Sequence, residues 1–274
     1  MILYYALGGG LGHLTRGRRV LELLGLAGDA AIVTASPYAR DERVTGGIPT
    51  VEVPPHLEHA VDEHRGWMRA LDAERLIVDT FPGGIQGELC GLEVPMDLVA
   101  RLLRWDEYRR AVPDELPSFG TTWIVEELAP DHDAFVRANS GRVVSLVGAR
   151  AFSPRFERAV SPLPVHNFWL IVHSGPEDEV RELIAFTSEL RALANNAPDR
   201  ILVATRCDTP LPSGFERIDI YPASALYARA ERIISAAGFN VMLETEPWSH
   251  KHEVVPFARK FDDQFLRAAR RRAS

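Results

Sequence analysis

Cysteine is scarce in this sequence. Only Cys90 and Cys207 occur, far apart in the chain and without the spacing of a metal or redox motif. Two isolated thiols provide no disulfide framework, and such sparse cysteine is typical of proteins from a reducing compartment. We therefore expect a cytoplasmic protein with two ordinary buried thiols.

Long apolar runs and an excess of positive charge are missing as well. No stretch approaches the roughly 20 apolar residues of a membrane span, and the apolar start at residues 1–7 lacks the basic leader of a secretory signal. The 38 acidic residues outnumber the 31 basic ones and leave a formal charge of −7. Net charge thus argues against nucleic acid as a partner, while a peripheral membrane contact stays open. An anionic ligand must be held by local groups.

Short apolar runs alternate with amphipathic helical patterns over most of the chain. The helical pattern is clearest at residues 15–24 and 96–112. Runs of strand character occur at residues 2–7, 30–34, 50–53, 76–79, 168–173, 201–205, 232–235 and 253–256. This alternation predicts an α/β fold with parallel sheets.

One stretch breaks the alternation. Residues 150–167, RAFSPRFERAVSPLPVHN, contain three prolines and little periodicity, which is typical of a linker. A linker at this place separates an N-terminal domain, residues 1–149, from a C-terminal domain, residues 168–274. Both lengths are usual for domains.

The first predicted strand ends in a glycine-rich loop, GGGLGH, that leads into a helix. Gly10 and Gly12 let the backbone turn and approach a ligand closely, and such strand ends are where open α/β sheets bind ligands. His13 closes the loop, and a neutral imidazole can accept a proton at physiological pH. A plain glycine-rich turn with a capping histidine explains the same residues. Since His13 holds the place of the third glycine in G-x-G-x-x-G, a dinucleotide oxidoreductase is disfavoured.

The second half of the chain contains a longer motif, LYARAERIISAAG, at residues 226–238. It resembles the phrase L-Y-A-x-A-D-x-x-I-x-x-x-G that precedes the donor-binding helix in MurG-like GT-B glycosyltransferases, which transfer N-acetylglucosamine from UDP-GlcNAc to a lipid-linked acceptor. Glu244 follows Gly238 by the six residues that separate the family's glycine from its ribose-binding glutamate. The V-P-F strand end of the family is matched at residues 255–257, and GGGLGH is similar to its G-G-x-G-G-H loop.

This resemblance implies both a fold and an activity. The implied fold is α/β and GT-B-like, with two Rossmann-like parallel-sheet domains facing a central cleft, the N-terminal one on the acceptor side and the C-terminal one binding the donor. The implied activity is inverting, metal-independent transfer of a sugar from a nucleotide diphosphate sugar, UDP-linked in the family, to an acceptor hydroxyl. Because the nucleotide sugar is a substrate, neither a cofactor nor a metal is expected. No D-x-D segment lies where a metal-dependent transferase needs one.

The resemblance also implies site residues. His13 corresponds to the family's catalytic histidine, which would take the proton of the acceptor hydroxyl. Glu244 would bind the ribose, the backbone of Ile220 the uracil, and Gln264 the donor sugar, since carboxylates accept hydrogen bonds from hydroxyls and amides both donate and accept. The full set of implied nucleotide-sugar contacts is Gly10, Gly12, Ser174, Gly175, Ile220, Gly238, Phe239, Asn240, Glu244, Asp263 and Gln264.

Some features depart from the family. Leu11 replaces a small residue of the glycine loop, Pro247 should end the helix after Gly238 early, and the chain is shorter than a typical member. One alternative is therefore a nucleotide-sugar hydrolase of the same fold, which uses water as the acceptor. The other is a GT-B module that binds nucleotide without turnover.

Two histidine-rich stretches lie outside these motifs. His56, His59 and His64 could be drawn as a metal site, but we expect a solvated polar surface. Residues 250–252, His-Lys-His, could touch a diphosphate, but we expect an exposed polar loop.

Overall fold

The structure, a computed structural model, describes residues 1–8, 10–148 and 167–273. The chain divides into two compact units. The first unit comprises Met1–Ser153 and Arg259–Asp263, and the second comprises Pro154–Ala258 and Gln264–Ser274. The predicted linker lies outside the described residues except for Asn167, so the domain boundaries stay a prediction.

A parallel sheet of seven strands forms the centre of the first unit. Its strands are β1 (Ile2–Tyr5), β2 (Ala30–Thr34), β3 (Thr50–Glu52), β4 (Arg75–Asp79), β5 (Met96–Ala100), β6 (Phe119–Ile124) and β7 (Ser140–Ser145). Its helices are α1 (Leu11–Leu23), α2 (Glu42–Thr45), α3 (Val61–Ala70), α4 (Trp105–Ala111) and α5 (Pro130–Ala138), and a 3₁₀ turn covers Pro55–Leu57. Strands β2 and β5 are buried at every position, as expected for parallel strands covered on both faces.

The strand order of this sheet is β3-β2-β1-β4-β5-β6-β7. The chain therefore moves outward from β1 to β3, returns to the other side of β1 with β4, and continues outward from there. The switch point lies between β1 and β4, and ligands of open α/β sheets bind at the carboxyl ends of the strands at such a point.

The second unit contains a parallel sheet of five strands in the order β10-β9-β8-β11-β12. The strands are β8 (Phe168–Val172), β9 (Arg200–Ala204), β10 (Phe215–Ile218), β11 (Arg232–Ala236) and β12 (His252–Val255). The helices are α6 (Glu177–Leu193), α7 (Phe239–Glu244) and α8 (Gln264–Ala273), with 3₁₀ turns at Ala223–Leu226 and Glu246–Lys251. The switch point of this sheet lies between β8 and β11.

The predicted strands all occur, but the helix expected at residues 96–112 is wrong in its first part. Residues Met96–Ala100 form strand β5, an interior strand of the first sheet, and helix α4 begins only at Trp105. A helical pattern needs an exposed face, whereas every residue of β5 is buried. Asp97 looks in the sequence like a residue on the polar face of a helix. In the structure it is buried, and its carboxylate accepts a hydrogen bond from Arg75 Nε at 2.5 Å.

The segment Arg259–Asp263 belongs to the first unit, although the sequence analysis placed it in an unbroken C-terminal domain. Phe261 is buried and packs edge-on against Tyr108, with ring centroids 5.5 Å apart. The backbone of Arg104 donates a hydrogen bond of 2.7 Å to the Phe261 carbonyl. Burial of this aromatic side chain holds the segment against helix α4 and the turn that follows β4.

The two thiols are free, with Cys90 buried and Cys207 half-buried. Among the described residues, none of the helices is both long and apolar enough to cross a membrane.

Candidate active site

His13 lies where the glycine-rich loop enters helix α1. Strand β1 ends at Tyr5, Gly10 occupies the N-cap position, and the helix starts at Leu11. This places the imidazole in the first turn of α1, at the carboxyl end of β1. The side chain of His13 is 15% exposed. It is thus largely enclosed by protein while keeping some contact with solvent.

Asp79 is the partner of His13. It is the last residue of β4, which lies beside β1 in the sheet, and its side chain is fully buried. Its Oδ2 atom lies 2.6 Å from His13 Nδ1. The pair therefore forms across the switch point, from two segments separated by 66 positions in the sequence.

The Asp79 carboxylate has further donors. Arg16, one turn after His13 on α1, donates from Nε to Oδ1 at 2.6 Å and from Nη2 to Oδ2 at 2.5 Å. Tyr4 of β1 donates its hydroxyl to Oδ1 at 2.8 Å. A buried carboxylate is tolerated only when it is paired and hydrogen-bonded in this way.

These contacts fix the protonation of the pair. Burial by itself would raise the pKa of the Asp79 carboxyl, but the charge of Arg16 and the hydrogen bonds from His13 and Arg16 hold that pKa well below its usual range. Burial lowers the pKa of the His13 imidazole below its ordinary value, against the opposing effect of Asp79. Because ionised Asp79 only accepts hydrogen bonds, Nδ1 of neutral His13 carries the proton and Nε2 is the basic nitrogen.

Thr80 continues the site in a strained conformation. Its φ angle is +73°, which is unfavourable for a β-branched residue, and the residue is fully buried. Its Oγ1 accepts hydrogen bonds from Arg16 Nη2 at 3.0 Å and from Arg101 Nε at 3.1 Å. The next residue, Phe81, stacks on the His13 ring with centroids 6.0 Å apart. The strained turn thus brings Asp79 and Phe81 to different sides of one imidazole.

Arg101 extends this polar network to the segment Arg259–Asp263. It follows β5, is buried, and pairs through Nη1 with the carboxylate of Asp262. Asp262 directly precedes Asp263, one of the predicted donor contacts, which the structure places in the first unit.

An aromatic cluster lies next to the network in the first unit. The rings of Trp105 and His132 stack in parallel with centroids 4.3 Å apart, and Trp105 also contacts Tyr108. His132 is fully buried, and neither of its ring nitrogens has a hydrogen-bond partner among the described residues. Burial lowers its pKa to about 4. The ring is therefore neutral at physiological pH.

The predicted donor contacts of the second unit fall at two neighbouring strand ends. Ser174 and Gly175 follow β8, and Gly238 and Phe239 follow β11, on either side of the switch point of the second sheet. Asn240 lies in the first turn of α7, after Phe239. The structure thus brings these five residues to one edge of the sheet.

The remaining donor contacts of the second unit are placed by hydrogen bonds and packing. Glu244, at the end of α7, is buried and accepts a hydrogen bond of 3.3 Å from the Tyr227 hydroxyl. Ile220 packs partly buried against the apolar cluster that includes Tyr227. Gln264 is buried, and its Oε1 accepts a hydrogen bond of 3.1 Å from the Phe257 backbone.

A second histidine–carboxylate pair lies beside Gly175. His173 Nε2 is 2.8 Å from Glu179 Oε2, and both side chains are buried. A Cβ atom on Gly175 would lie 2.5 Å from His173 Nε2, so a larger residue at position 175 would displace the imidazole of this pair. Ser174 and Gly175 were predicted as site residues from the sequence, whereas the His173–Glu179 pair was not.

Two expectations for histidines are wrong. His64 is not a solvated residue, because it is buried with Nε2 3.3 Å from the Tyr5 hydroxyl. His252 does not lie in an exposed loop but opens β12, where its ring nitrogens lie 2.8 Å from Ser235 Oγ and from Thr245 Oγ1. Among the described residues, no group of three or more histidine, cysteine, aspartate and glutamate side chains could hold a metal ion.

Known proteins resemble this chain in structure rather than in sequence. No protein-family model and no curated protein matches it. The spinosyn rhamnosyltransferase SpnG matches 99% of this chain over 84% of its own, with a TM-score of 0.59 and 16% identity. The fold is that of the GT-B glycosyltransferases.

Further structures support this GT-B fold. SpnG complexed with thymidine diphosphate matches 100% of this chain and 84% of its own (TM-score 0.58, 13% identity). The glycosyltransferase VinC in complex with dTDP matches 99% of this chain and 84% of its own, with a TM-score of 0.58 and 14% identity. The glycosyltransferase SnogD from Streptomyces nogalater matches 95% of this chain and 82% of its own, with a TM-score of 0.56 and 14% identity. The predicted α/β, GT-B-like fold is confirmed.

The sequence motifs indicate His13 but give no indication of Asp79, Arg16 or Arg101. One signal was available for Asp79, since it is a carboxylate at the end of a buried apolar strand. Its partnership with His13 depends on β4 lying beside β1, and strand order is not visible in the spacing of the motifs.

Proposed function

We propose that this protein is an inverting glycosyltransferase that moves a sugar from a nucleoside diphosphate sugar to an acceptor hydroxyl. The observation that carries the proposal is the His13–Asp79 pair at the switch point of the first sheet, in a chain with the GT-B fold. A partly exposed imidazole oriented by a buried carboxylate is the arrangement of a general base.

The proposed reaction has one chemical step. His13 Nε2 takes the proton of the acceptor hydroxyl while the hydroxyl oxygen forms a bond to the anomeric carbon from the face opposite the leaving group. The bond between that carbon and the diphosphate oxygen breaks, and its electron pair leaves with the nucleoside diphosphate. Asp79 stabilises the imidazolium that forms, because the carboxylate accepts a hydrogen bond from Nδ1–H throughout and itself stays ionised.

The donor is proposed to be held by the second unit. Glu244 binds the ribose hydroxyls, the backbone of Ile220 pairs with the base, and the amides around Gly238 and Phe239 offset the charge that builds on the diphosphate. This role of backbone amides needs no metal ion, in keeping with the resemblance to the MurG-like family. That resemblance implies a uridine donor, whereas SpnG and VinC were solved with thymidine diphosphate. We propose a donor linked to one of these two closely similar pyrimidines.

Thermal unfolding with UDP, dTDP, GDP, CDP and ADP tests donor binding. A ligand at 100 times its dissociation constant stabilises the folded protein by about 2.7 kcal/mol, enough to raise the melting temperature clearly. We expect a selective rise with UDP or dTDP that is lost in Glu244→Gln and retained in His13→Ala. No rise with any of the nucleotides contradicts the donor site.

Turnover is then measured with the corresponding nucleotide sugars and a panel of hydroxyl acceptors. We expect release of the nucleotide to require an acceptor and to fall in His13→Ala without a change in nucleotide binding. Sugar release with water alone identifies the hydrolase instead. Tight binding without cleavage under any acceptor identifies a non-catalytic module.

A further inference from the structure

Arg16 grips the carboxylate of the proposed base pair with two hydrogen bonds. Nε and Nη2 of its guanidinium each reach a different oxygen of Asp79, at 2.6 and 2.5 Å. The Arg16 side chain is 3% exposed, so little water competes for these bonds. Two parallel bonds fix the plane of a carboxylate as well as its position.

These two hydrogen bonds determine which oxygen of Asp79 accepts from His13 and how much negative charge His13 experiences. Oδ2 of Asp79 is shared, because Arg16 Nη2 and His13 Nδ1 lie 2.5 and 2.6 Å from it. Arg16 Nη2 also lies 3.1 Å from His13 Nδ1. A protonated Nδ1 cannot accept from the guanidinium, so both groups donate to the same oxygen. The positive charge of Arg16 thus offsets the negative charge that would otherwise favour an imidazolium.

Other charged groups around His13 do not replace this effect. Arg101, after β5, adds positive charge but is paired with Asp262. Tyr4 of β1 donates a neutral hydroxyl to Asp79, and Phe81 contributes an apolar ring. Arg16 is therefore the cation that directly contacts the Asp79 carboxylate in the first unit as described.

We propose that Arg16 is a positioning residue, which fixes the Asp79 carboxylate and offsets its charge so that His13 enters the reaction as a neutral imidazole with Nε2 as the proton acceptor. The proposal rests on the proposed function for its catalytic meaning. Its physical content concerns the three side chains alone. It can therefore be tested in the absence of any substrate.

The test is an NMR titration of the imidazole signals in the full chain. The sequence has nine histidines, and the His13 signal is identified by its loss in His13→Gln. In Arg16→Gln we expect the His13 titration midpoint to move to higher pH, because a positive charge beside the ring is gone and the carboxylate acts on it alone. Arg18→Gln is the matched control, since Arg18 lies on the same helix and pairs with Glu22 at the surface. Its midpoint should equal that of the wild type.

A second variant guards against loss of folding in Arg16→Gln. Arg16→Lys keeps a charge but cannot form two parallel hydrogen bonds, so we expect a folded protein whose His13 midpoint rises less than in Arg16→Gln. If either variant folds with the wild-type midpoint or a lower one, the inference is overturned.

Turnover separates this inference from the proposed function. In an active enzyme, the acid limb of the kcat/KM profile should move to higher pH in Arg16→Gln together with the NMR midpoint. A limb that stays in place while the midpoint moves overturns the catalytic part of the inference. A moved midpoint in a protein that turns over no nucleotide sugar supports the role of Arg16 in holding the pair and counts against the transferase.

Discussion

Gly8 and His13 are in direct contact across the glycine-rich loop. A Cβ atom on Gly8 would lie 2.3 Å from His13 Cδ2 and 2.5 Å from Nε2, closer than a Cβ atom approaches a non-bonded atom in a folded protein. The ring of the proposed base therefore occupies the space that a side chain at position 8 would need. This contact explains a loop glycine that ligand binding alone does not require.

Gly8→Ala is expected to displace the His13 ring. Overpacking of this kind costs about 1–3 kcal/mol of the free energy of unfolding. Turnover of Gly8→Ala should be lower than that of the wild type, and His13→Ala serves as the reference for complete loss of the base. The rise in melting temperature with nucleotide should be the same as in the wild type. Gly28→Ala is the matched control, because a Cβ atom there would meet no atom within 4 Å. Equal turnover of the two alanine variants would show that the contact with His13 is unimportant.

Asp79→Asn should affect both activity and stability. Loss of the carboxylate leaves the buried Arg16 charge uncompensated, which costs about 3–5 kcal/mol. A neutral amide at this place also no longer keeps the proton of His13 on Nδ1. We expect kcat per folded molecule to fall on the order of 10²–10⁴-fold. Chemical denaturation and steady-state assays measure the two effects.

Asp97→Asn provides the control for this prediction. Asp97 is also a buried carboxylate that pairs with an arginine of the first sheet, Arg75, but it lies near the start of β5 rather than at the end of a strand. We expect it to lower stability while kcat per folded molecule is unchanged. A comparable loss of kcat in both variants would mean that Asp79 acts only through stability.

His132 should make the protein acid-sensitive. Its folded-state pKa of about 4 lies below the ordinary value of 6.5. Between pH 6.5 and pH 4 the imidazole is therefore protonated in the unfolded chain but neutral in the folded chain. The free energy of unfolding should therefore decrease as pH falls from 6.5 to 4, by about 3 kcal/mol in total. His132→Phe keeps a ring against Trp105 and removes the titration.

Urea denaturation at pH 7 and at pH 4.5 measures this difference. We expect His132→Phe to lose less stability over this interval than the wild type, and His250→Phe, at an exposed position, to lose the same amount as the wild type. An equal loss in His132→Phe and the wild type would contradict the prediction.

Phe261→Ala should destabilise the first unit. Removal of a buried phenylalanine costs about 3–5 kcal/mol, and Phe261 is 7% exposed between Phe81 and Tyr108. Phe265→Ala, at a position that is 57% exposed, should change stability by no more than about 0.5 kcal/mol. The two variants are compared by chemical denaturation, and similar losses would contradict the packing of the segment.

Local patterns were enough to predict much of the fold. The strand, glycine turn and helix around His13 follow one another in the sequence, and the alternation that they begin predicted the parallel sheets. The helix predicted over Met96–Ala100 is wrong because a strand buried on both faces lacks the alternation of apolar and polar residues that marks a half-exposed strand. The helical pattern that begins at Trp105 extended the predicted helix back over this strand.

The site was less accessible to sequence reasoning because it depends on contacts over long separations. His13 meets Asp79 only because β4 lies beside β1, and Arg101 meets Asp262 over 161 positions. No spacing rule connects such residues. Arg16 was also passed over, since an arginine on the first turns of a helix is usually a surface residue and only the structure shows that it is buried.

The placement of Arg259–Asp263 has a consequence for the order in which the protein is completed during synthesis. Strand β1 is translated before the other described elements, yet Phe261, which packs on Tyr108 in the first unit, is translated after the five described strands of the second unit. Domains generally fold from the N-terminus as the chain is made. Here the apolar surface that Phe261 covers in the first unit stays exposed until the strands of the second unit have been translated. A nascent chain halted before Phe261 therefore presents this exposed apolar surface to chaperones.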